Sequence, residues 1–303
     1  MADSLRVRPA VSTDKIPVLE FCKNTWSWGD YLPEVWDQWL KDRSGRLVVA
    51  IVNGRPVGVA HAKSQNSRIV WLEGVRVHPS YRGLGIAGKL NDELCKFALQ
   101  KGAKLVRLCT TSTNTSSQKH LSKVKFELLA KFQRFETVNP IRKPPGNVSL
   151  RRKYSTALWK WIRASTEFDL FKEMYSDDGW TWYPLTPRTI RRFTEKRGVL
   201  VTGSKASKSC SLFTAEENRL TLGFTAGPVE KIRYHIRYLR YLLSKGEYRE
   251  SRALIPENSE FTRVPKEEEY ERSGKILVYE KWLGEKRGLQ SNKAQDLQIQ
   301  RTS

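Results

Sequence analysis

The feature that most constrains this chain is a predicted strand, a glycine-rich turn and a helix start that follow one another between residues 69 and 98. The run Ile69–Val77 is apolar and β-branched, which is typical of a strand, and Pro79 ends it. The turn reads Arg82-Gly-Leu-Gly-Ile-Ala-Gly88, and apolar residues then recur at helical spacing. Glycines let the main chain approach an anion closely, and a helix N-terminus adds about half a positive charge. The sequence therefore predicts a phosphate-binding turn.

The glycine-rich turn can be compared with three known kinds of phosphate-binding loop by the spacing of its residues. Gly83, Gly85 and Gly88 match G-x-G-x-x-G, but dinucleotide fingerprints follow the first strand of a βαβ unit, and several predicted strands come earlier here. A Walker A loop needs Ser or Thr after Gly-Lys, and this chain has Leu90. The spacing from Arg82 to Ala87, Arg-x-x-Gly-x-Ala after Val-His-Pro-x-Tyr, instead resembles the acetyl-CoA pyrophosphate loop of the GNAT N-acetyltransferases.

The resemblance implies that the strand and the loop hold acetyl-CoA as a co-substrate, without a metal. The implied cofactor-binding residues are Val75, Arg76, Val77, Arg82, Gly83, Leu84, Gly85, Ile86, Ala87 and Gly88. Asn114 stands where the family has an Asn that contacts the CoA arm, and Ser117 follows one helical turn later. Asn114 fits a simple helix N-cap equally well.

The predicted order of elements over residues 5–136, β-α-α-β-β-β-α-β-α-β, is that of the GNAT fold. It predicts an α/β (α+β) class with a mixed sheet, splayed open at the strand before the loop. A second α/β domain follows with a similar order, which predicts a degenerate GNAT-like repeat without the pyrophosphate loop. The expected division is a GNAT acetyltransferase domain at 1–138, a linker at 139–152, the second domain at 153–284 and a flexible tail at 285–303.

Glu73 is the leading candidate for the catalytic base. Strand alternation places it on the same side as Trp71 and Val77, and a carboxylate among such neighbours needs a partner. It could relay the proton of a bound amine, or it could be a structural carboxylate paired with Arg76, Arg107 or another cation. A bulge in this strand would reverse the alternation.

A general acid is harder to place. Many GNATs carry a Tyr on the helix after the Asn, but the corresponding residue here is Leu121, so the chain departs from that pattern. The adjacent His120 could substitute as a catalytic residue. Cys109 fits a buried strand residue better than an acetyl-cysteine intermediate, because no accompanying His-Asp arrangement is readable.

The acceptor site of a GNAT fold lies between the first two helices and the open sheet. The aromatic and acidic residues concentrated there are Trp26, Trp28, Asp30 and Tyr31, and they suit a cationic or amphipathic amine. A hydrophobic staple and a turn are an equal alternative for Trp26.

Three motifs together are similar to those of the vertebrate histidine N-acetyltransferase family, whose members also carry a second domain. They are Gly29-Asp-Tyr-Leu-Pro33, Glu73-Gly-Val-Arg-Val-His-Pro79 and the turn from Arg82 to Gly88. This resemblance implies acetylation of the amino group of a free amino acid, with histidine as one candidate acceptor.

The chain carries 54 Lys and Arg against 32 Asp and Glu, a net charge of +22. This charge fits a nucleic-acid partner, or a basic surface that attracts anionic CoA. No zinc-finger, RNP or helix-turn-helix pattern accompanies it, so nucleic acid is the lesser alternative. The sequence has no run of eighteen apolar residues and no apolar signal core, and its four cysteines are scattered. These features predict a cytoplasmic protein with reduced thiols and no membrane partner.

The leading hypothesis is direct transfer of acetyl from acetyl-CoA to an amine of a small molecule or free amino acid, by a monomer or a homodimer. One alternative keeps the fold and makes the acceptor a protein N-terminus or a lysine. Another is a non-enzymatic protein that senses CoA or binds nucleic acid. The sequence does not choose the acceptor.

Overall fold

The computed structural model describes residues 5–23, 25, 29–196, 198–203, 208–216, 218–257 and 259–284. It divides into two compact units, Met1–Arg107 with Glu280–Ser303, and Leu108–Tyr279. The domain boundaries expected from the sequence stay a prediction. Among the helices described, none is long and apolar enough to span a membrane.

The first unit is built on a mixed sheet in the order β1-β2-β3-β4-β5. Its elements are β1 (Arg6–Pro9), α1 (Lys15–Cys22), α2 (Leu32–Lys41), β2 (Gly45–Val52), β3 (Arg55–Ser64), β4 (Ile69–Val77), α3 (Ile86–Gln100) and β5 (Leu105–Thr111), whose last residues belong to the second unit. Neighbours from β1 to β4 pair antiparallel, while β4 and β5 pair parallel. The predicted α/β class and mixed sheet are confirmed.

Local signals explain the hairpin that starts this sheet. Asn53 and Gly54 both adopt positive φ angles, 49° and 78°, as a type I′ turn requires. Gly58 lies further along β3, where a Cβ would come within 3.0 Å of Ile86 and 3.1 Å of Leu90. The missing side chain at this position therefore lets α3 pack closely on the sheet.

Strand β4 opens the sheet in two ways. Its parallel pairing with β5 covers only Ile69 to Trp71, so the predicted splay is present. Its register with β3 then shifts, because His61 lies opposite Glu73 while Val59 lies opposite Arg76. This β-bulge includes Gly74, whose φ is +68°.

The bulge corrects the alternation expected from the sequence. Glu73 lies opposite His61, and Arg76 lies opposite Val59. His61 and Val59 are two residues apart on β3 and point to the same face, so Glu73 and Arg76 share that face of the sheet. Val77 lies opposite Gly58, on the face that packs against α3. The expectation that Glu73 and Val77 point the same way was therefore wrong.

The face that carries Glu73 is covered by α1 and α2. Its buried core contains Val18, Cys22, Leu32, Trp36, Trp39, Leu47, Val49, Ile51 and Val59. Helix α2 supplies the two tryptophans at a spacing of three residues, which places both on the side of the helix that faces the sheet.

The second unit contains seven strands of a sheet, in the spatial order β14-β6-β13-β12-β11-β10-β7. Its helices are α4 (Thr115–Lys123), α5 (Thr156–Arg163), α6 (Thr166–Leu170), α7 (Pro187–Glu195), α8 (Val229–Leu243) and α9 (Arg263–Glu267). Its strands are β6 (Glu127–Thr137), β7 (Val148–Leu150), β8 (Met174–Ser176), β9 (Trp182–Pro184), β10 (Val199–Thr202), β11 (Ser209–Glu216), β12 (Arg219–Ala226), β13 (Glu250–Pro256) and β14 (Glu271–Trp282), of which β8 and β9 form a separate pair. The last three residues of β14 belong to the first unit.

Within the second unit, three antiparallel strands β10, β11 and β12 lead into α8 and then into β13, which is parallel to β12. The first unit has the same succession in β2, β3, β4, α3 and β5. The turn before α8 differs, since a Cβ on Gly227 would lie 2.4 Å from the Lys208 carbonyl oxygen and 2.8 Å from the Ser209 Cα atom. The backbone of Lys208 and Ser209 thus crowds the turn before α8, whereas the glycines of the turn before α3, Gly83 and Gly85, have open surroundings.

Two segments of the second unit differ from the sequence expectation. The helix expected over 154–175 is two helices and a strand, because Ser155 and Ser165 each cap a helix through their side chains. Residues Val148–Leu150, inside the expected linker, form β7 and pair with β10.

A histidine lies in the core of the second unit. His235 of α8 has no exposed surface, and its Nδ1 lies 2.7 Å from the Ser211 hydroxyl and its Nε2 3.1 Å from the Thr202 hydroxyl. Burial lowers the pKa of His235 to about 3, because the interior disfavours the imidazolium form.

Candidate active site

The glycine-rich turn is open where an anion would approach. Gly83 and Gly85 have φ angles of +82° and +76°, and a Cβ at either position would meet no atom within 4 Å. The glycines are therefore needed for the backbone conformation rather than to relieve crowding. Gly85 precedes the first residue of α3, and no side chain among the described residues caps this helix.

The charge of the turn also suits an anion. The first turn of α3 contains no acidic residue, and both Arg82 and Lys89 are exposed. The Arg82 Nε atom lies 3.4 Å from the Val77 carbonyl oxygen, which ties the turn to the end of β4. A helix N-terminus with free amides and two cations nearby fits the pyrophosphate of a CoA molecule.

The acceptor face begins with a buried ion pair. The Arg76 Nε atom donates to Asp30 Oδ2 at 2.7 Å, and the two side chains are 12% and 2% exposed. Asp30 also accepts from the Leu32 amide at 3.0 Å, at the start of α2. Asp30, predicted to line the site of the acetyl acceptor, therefore holds the Arg76 side chain and the first residue of α2 in place.

Aromatic rings lie beside this pair. The Arg76 guanidinium lies 5.3 Å from the centre of the Tyr31 ring, and Tyr31 meets Trp39 edge to face at 6.0 Å. Burial raises the pKa of Tyr31 to about 12, so its phenol stays protonated at neutral pH. Trp39 belongs to this group of rings although the sequence reasoning did not select it, and the acceptor role of Asp30 and Tyr31 stays a prediction.

Glu73 contacts a histidine, and both its base role and its structural alternative stay predictions. Its Oε1 atom lies 2.9 Å from His61 Nδ1, and its side chain is 20% exposed. Arg76 bonds Asp30, and Arg107 bonds Glu280 at 2.7 Å. Glu73 is thus a half-buried carboxylate with solvent access, next to the bulge that opens the sheet.

The remaining predicted residues lie elsewhere. Trp26 and Trp28 fall outside the described residues. Asn114, Ser117 and His120 belong to the start and body of α4 in the second unit, where the Asn114 side chain accepts from the Ser117 amide at 3.0 Å. The N-cap role of Asn114 is therefore observed, and the roles of these three residues toward CoA or catalysis stay predictions.

Metal ligation has no support in the described ranges, where no group of three or more His, Cys, Asp or Glu side chains could hold an ion. Cys109 is half-buried, and its thiol donates to the Trp180 carbonyl oxygen at 3.1 Å.

A glycine-rich turn between a splayed strand and a helix defines the class of GNAT-type acyltransferase folds. Residues 14–126 match the model of the acetyltransferase (GNAT) family. This match supports an acetyltransferase of the GNAT family in that part of the chain.

Solved structures agree with this fold along nearly the whole chain. A GCN5-related N-acetyltransferase from Sphaerobacter thermophilus is 13% identical, with a TM-score of 0.62, over 93% of this chain and 96% of that one. A tandem GNAT protein from the clavulanic acid biosynthesis pathway is 12% identical, with a TM-score of 0.55, over 93% and 99%. A glucosamine N-acetyltransferase region of a fungal multi-domain GH3 beta-N-acetylglucosaminidase is 12% identical, with a TM-score of 0.63, over 92% and 38%.

The tandem protein supports the presence of a second domain of this type. A search of curated proteins found no match to this sequence.

Proposed function

We propose that this enzyme transfers acetyl from acetyl-CoA directly to the amino group of a small molecule or free amino acid. The observation that carries the proposal is the construction of β4. One end of this strand leads into the open anion-binding turn, and its bulge presents Glu73 on the aromatic face beside Tyr31 and Trp39. An acyl donor and an amine acceptor could therefore meet along one strand.

Residues of the turn would hold the CoA pyrophosphate. The amides at Ile86, Ala87 and Gly88 begin α3, and Gly83 and Gly85 leave the approach open. Backbone groups of Val75, Arg76 and Val77, past the last residue paired with β5, would hold the pantetheine arm. When bound, the thioester supplies an activated acetyl group, and the residues of this chain orient it.

Glu73 would act on the acceptor. An amine is a nucleophile only when it has lost its extra proton, and a carboxylate placed beside it can accept that proton. Glu73 is suited because it is half-buried yet reached by solvent. Asp30 is held by Arg76, so the two charges largely offset each other on this face.

The first experiment measures release of the CoA thiol with three substrate pools, which are free amino acids, small amines and short peptides. Turnover with amino acids or amines supports the proposal. The similarity of three motifs to histidine N-acetyltransferases makes histidine the first single acceptor to test. Turnover with peptides alone would move the assignment to a protein acetyltransferase.

Two variants test the assigned roles. Gly85→Glu adds strain and a negative charge at the anion site, and acetyl-CoA binding should weaken more than about tenfold. Gly54→Glu is its control, because Gly54 has a φ of +78° and equally open surroundings but lies in the β2–β3 turn. The control should bind acetyl-CoA as the wild type does.

The second variant, Glu73→Gln, should lower kcat about 100-fold at pH 7. The deficit should shrink at high pH, where the amine loses its proton unaided. A deficit that is constant with pH would contradict a base role for Glu73.

A further inference from the structure

His61 is a buried titratable residue that the mechanism above does not use. It lies in the apolar run of β3, and its side chain has no exposed surface. A polar ring in such a place is costly unless it is paired. Its position opposite Glu73 in the β3–β4 register brings the two side chains together.

The contact between the two side chains has a defined direction. An ionised carboxylate can only accept hydrogen bonds, so His61 Nδ1 carries the hydrogen and donates it to Glu73 Oε1 at 2.9 Å. This bond fixes one oxygen of the carboxylate.

The imidazole ring is itself held in place. Trp39 stacks on it with ring centres 4.4 Å apart and planes only 6° from parallel. Gly74 makes this stack feasible, because a Cβ there would lie 2.6 Å from atoms of the Trp39 ring. The bulge that presents Glu73 therefore also makes room for the ring that supports its partner.

The second nitrogen of His61 lies beside Gly45. Nε2 is buried and has no hydrogen-bond partner among the described residues. A Cβ on Gly45 would lie 2.8 Å from this atom, 2.6 Å from the Ala62 carbonyl oxygen and 2.5 Å from Asp42 Oδ2, so a side chain at position 45 would displace the ring. Asp42 in turn accepts from the Ser44 amide and hydroxyl at 2.8 and 2.7 Å.

We propose that His61, held by its stack on Trp39, is a positioning residue for Glu73 and aims the carboxylate at the acceptor amine. The inference rests on the proposed base role of Glu73. It has the logic of catalytic triads, in which a third group orients the base.

The test compares His61→Asn with His61→Ala in the full chain. An asparagine amide can replace the Nδ1–H donor, whereas alanine removes it. The Glu73 carboxyl is followed by carbon-13 NMR at pH 7, with Glu73→Gln identifying its signal. The signal should move in His61→Ala, which removes the donor, and stay at its wild-type position in His61→Asn.

Activity gives the second readout, with acetyl-CoA and an equimolar mixture of free amino acids. His61→Ala should lower kcat about 30-fold with the KM for acetyl-CoA within twofold, and His61→Asn should recover most of the loss. His235→Asn is the matched control, since it removes a buried histidine from the second unit. It should leave kcat and the Glu73 carbon-13 signal unchanged.

The outcomes separate this inference from the proposed function. If His61→Ala leaves the Glu73 carbon-13 signal where it is, or if His61→Asn behaves as badly as His61→Ala, the positioning role is overturned even when the enzyme is active. If the signal moves as expected while no pool is turned over, the contact stands and the proposed function fails. Thermal unfolding of each variant shows whether it has folded.

Discussion

His235 makes the stability of the second unit depend on pH in a calculable way. The ring is buried among hydroxyl groups, and its folded pKa is lowered from 6.5 to about 3. Between these two values the unfolded chain binds a proton that the folded chain does not. The contribution of His235 to the free energy of unfolding must therefore fall as the pH drops from 6.5 toward 3.

The size of this effect follows from the two pKa values. At 1.36 kcal/mol per pH unit, lowering the pH from 7 to 5 should cost about 2 kcal/mol through His235 alone. Such a loss is a large share of the stability of an ordinary domain, which is about 5–15 kcal/mol. Asp177 of the same unit acts in the opposite direction, because burial and the neighbouring carboxylates of Asp178 and Glu216 raise its pKa to about 7. The share of His235 is therefore measured by comparing variants and not from the total change.

Urea unfolding at pH 7 and pH 5, read by a short deuterium pulse on peptides from α8, measures the change in the second unit. His235→Asn should lower stability at both pH values but reduce the difference between them by about 2 kcal/mol. Ser211→Ala is the control, because it removes the 2.7 Å partner of the ring and leaves the titratable group. Equal pH dependence in wild type and His235→Asn would refute the reasoning.

Three further predictions use matched pairs. Gly74→Ala should destabilise the first unit by about 2–4 kcal/mol through positive φ and the Trp39 contact, whereas Gly54→Ala, with a similar φ and no contact, should cost only about 1–2 kcal/mol in thermal unfolding. Asp30→Ala strands a buried arginine and should cost about 3 kcal/mol, while Asp37→Ala breaks an exposed pair with Lys15 and should cost under about 1 kcal/mol; equal losses in denaturant titrations would contradict this. Iodoacetamide should alkylate half-buried Cys109 first and buried Cys22 slowly, since burial raises the pKa of Cys22 to about 12 and leaves almost no thiolate at pH 8; peptide mapping reads the order, and all four cysteines should react in denaturant.

The parts of the fold that could be predicted from sequence depend on local signals. Asn53-Gly54 specifies a tight hairpin, because both residues tolerate positive φ. The turn from Arg82 to Gly88 predicts its own backbone shape, because glycines mark the two positive φ angles and the helical apolar spacing follows. Such features need no knowledge of distant residues.

The candidate site could be predicted only in part, since its geometry depends on register. Glu73 was identified from its strand, but its partner His61 depends on the pairing of β3 with β4 across a bulge. No local sequence pattern specifies a bulge of one residue. Beyond the bulge, the side chains point to the opposite faces from those that simple alternation predicts. A histidine within the apolar run of β3 was the available signal, because a buried ring requires a partner.

Helix limits in the second unit failed for a different reason. The apolar positions between 154 and 175 fit one long helix, but the Ser165 hydroxyl caps a new one by accepting from the Phe168 amide at 3.3 Å. Serine occurs both inside and at the start of helices, so its role depends on the surrounding packing.

The contact between Gly74 and Trp39 has a consequence for how this enzyme can change over generations. Position 74 is constrained twice, by its φ of +68° and by the ring that occupies the space of a Cβ. Asparagine tolerates a positive φ, but its Cβ would still clash with the Trp39 ring. Residues 39 and 74 should therefore vary as a pair, so that a side chain at 74 appears only in lineages in which residue 39 has already become smaller. If residue 74 gained a side chain first, the protein would pass through an unstable variant in which that side chain clashes with Trp39.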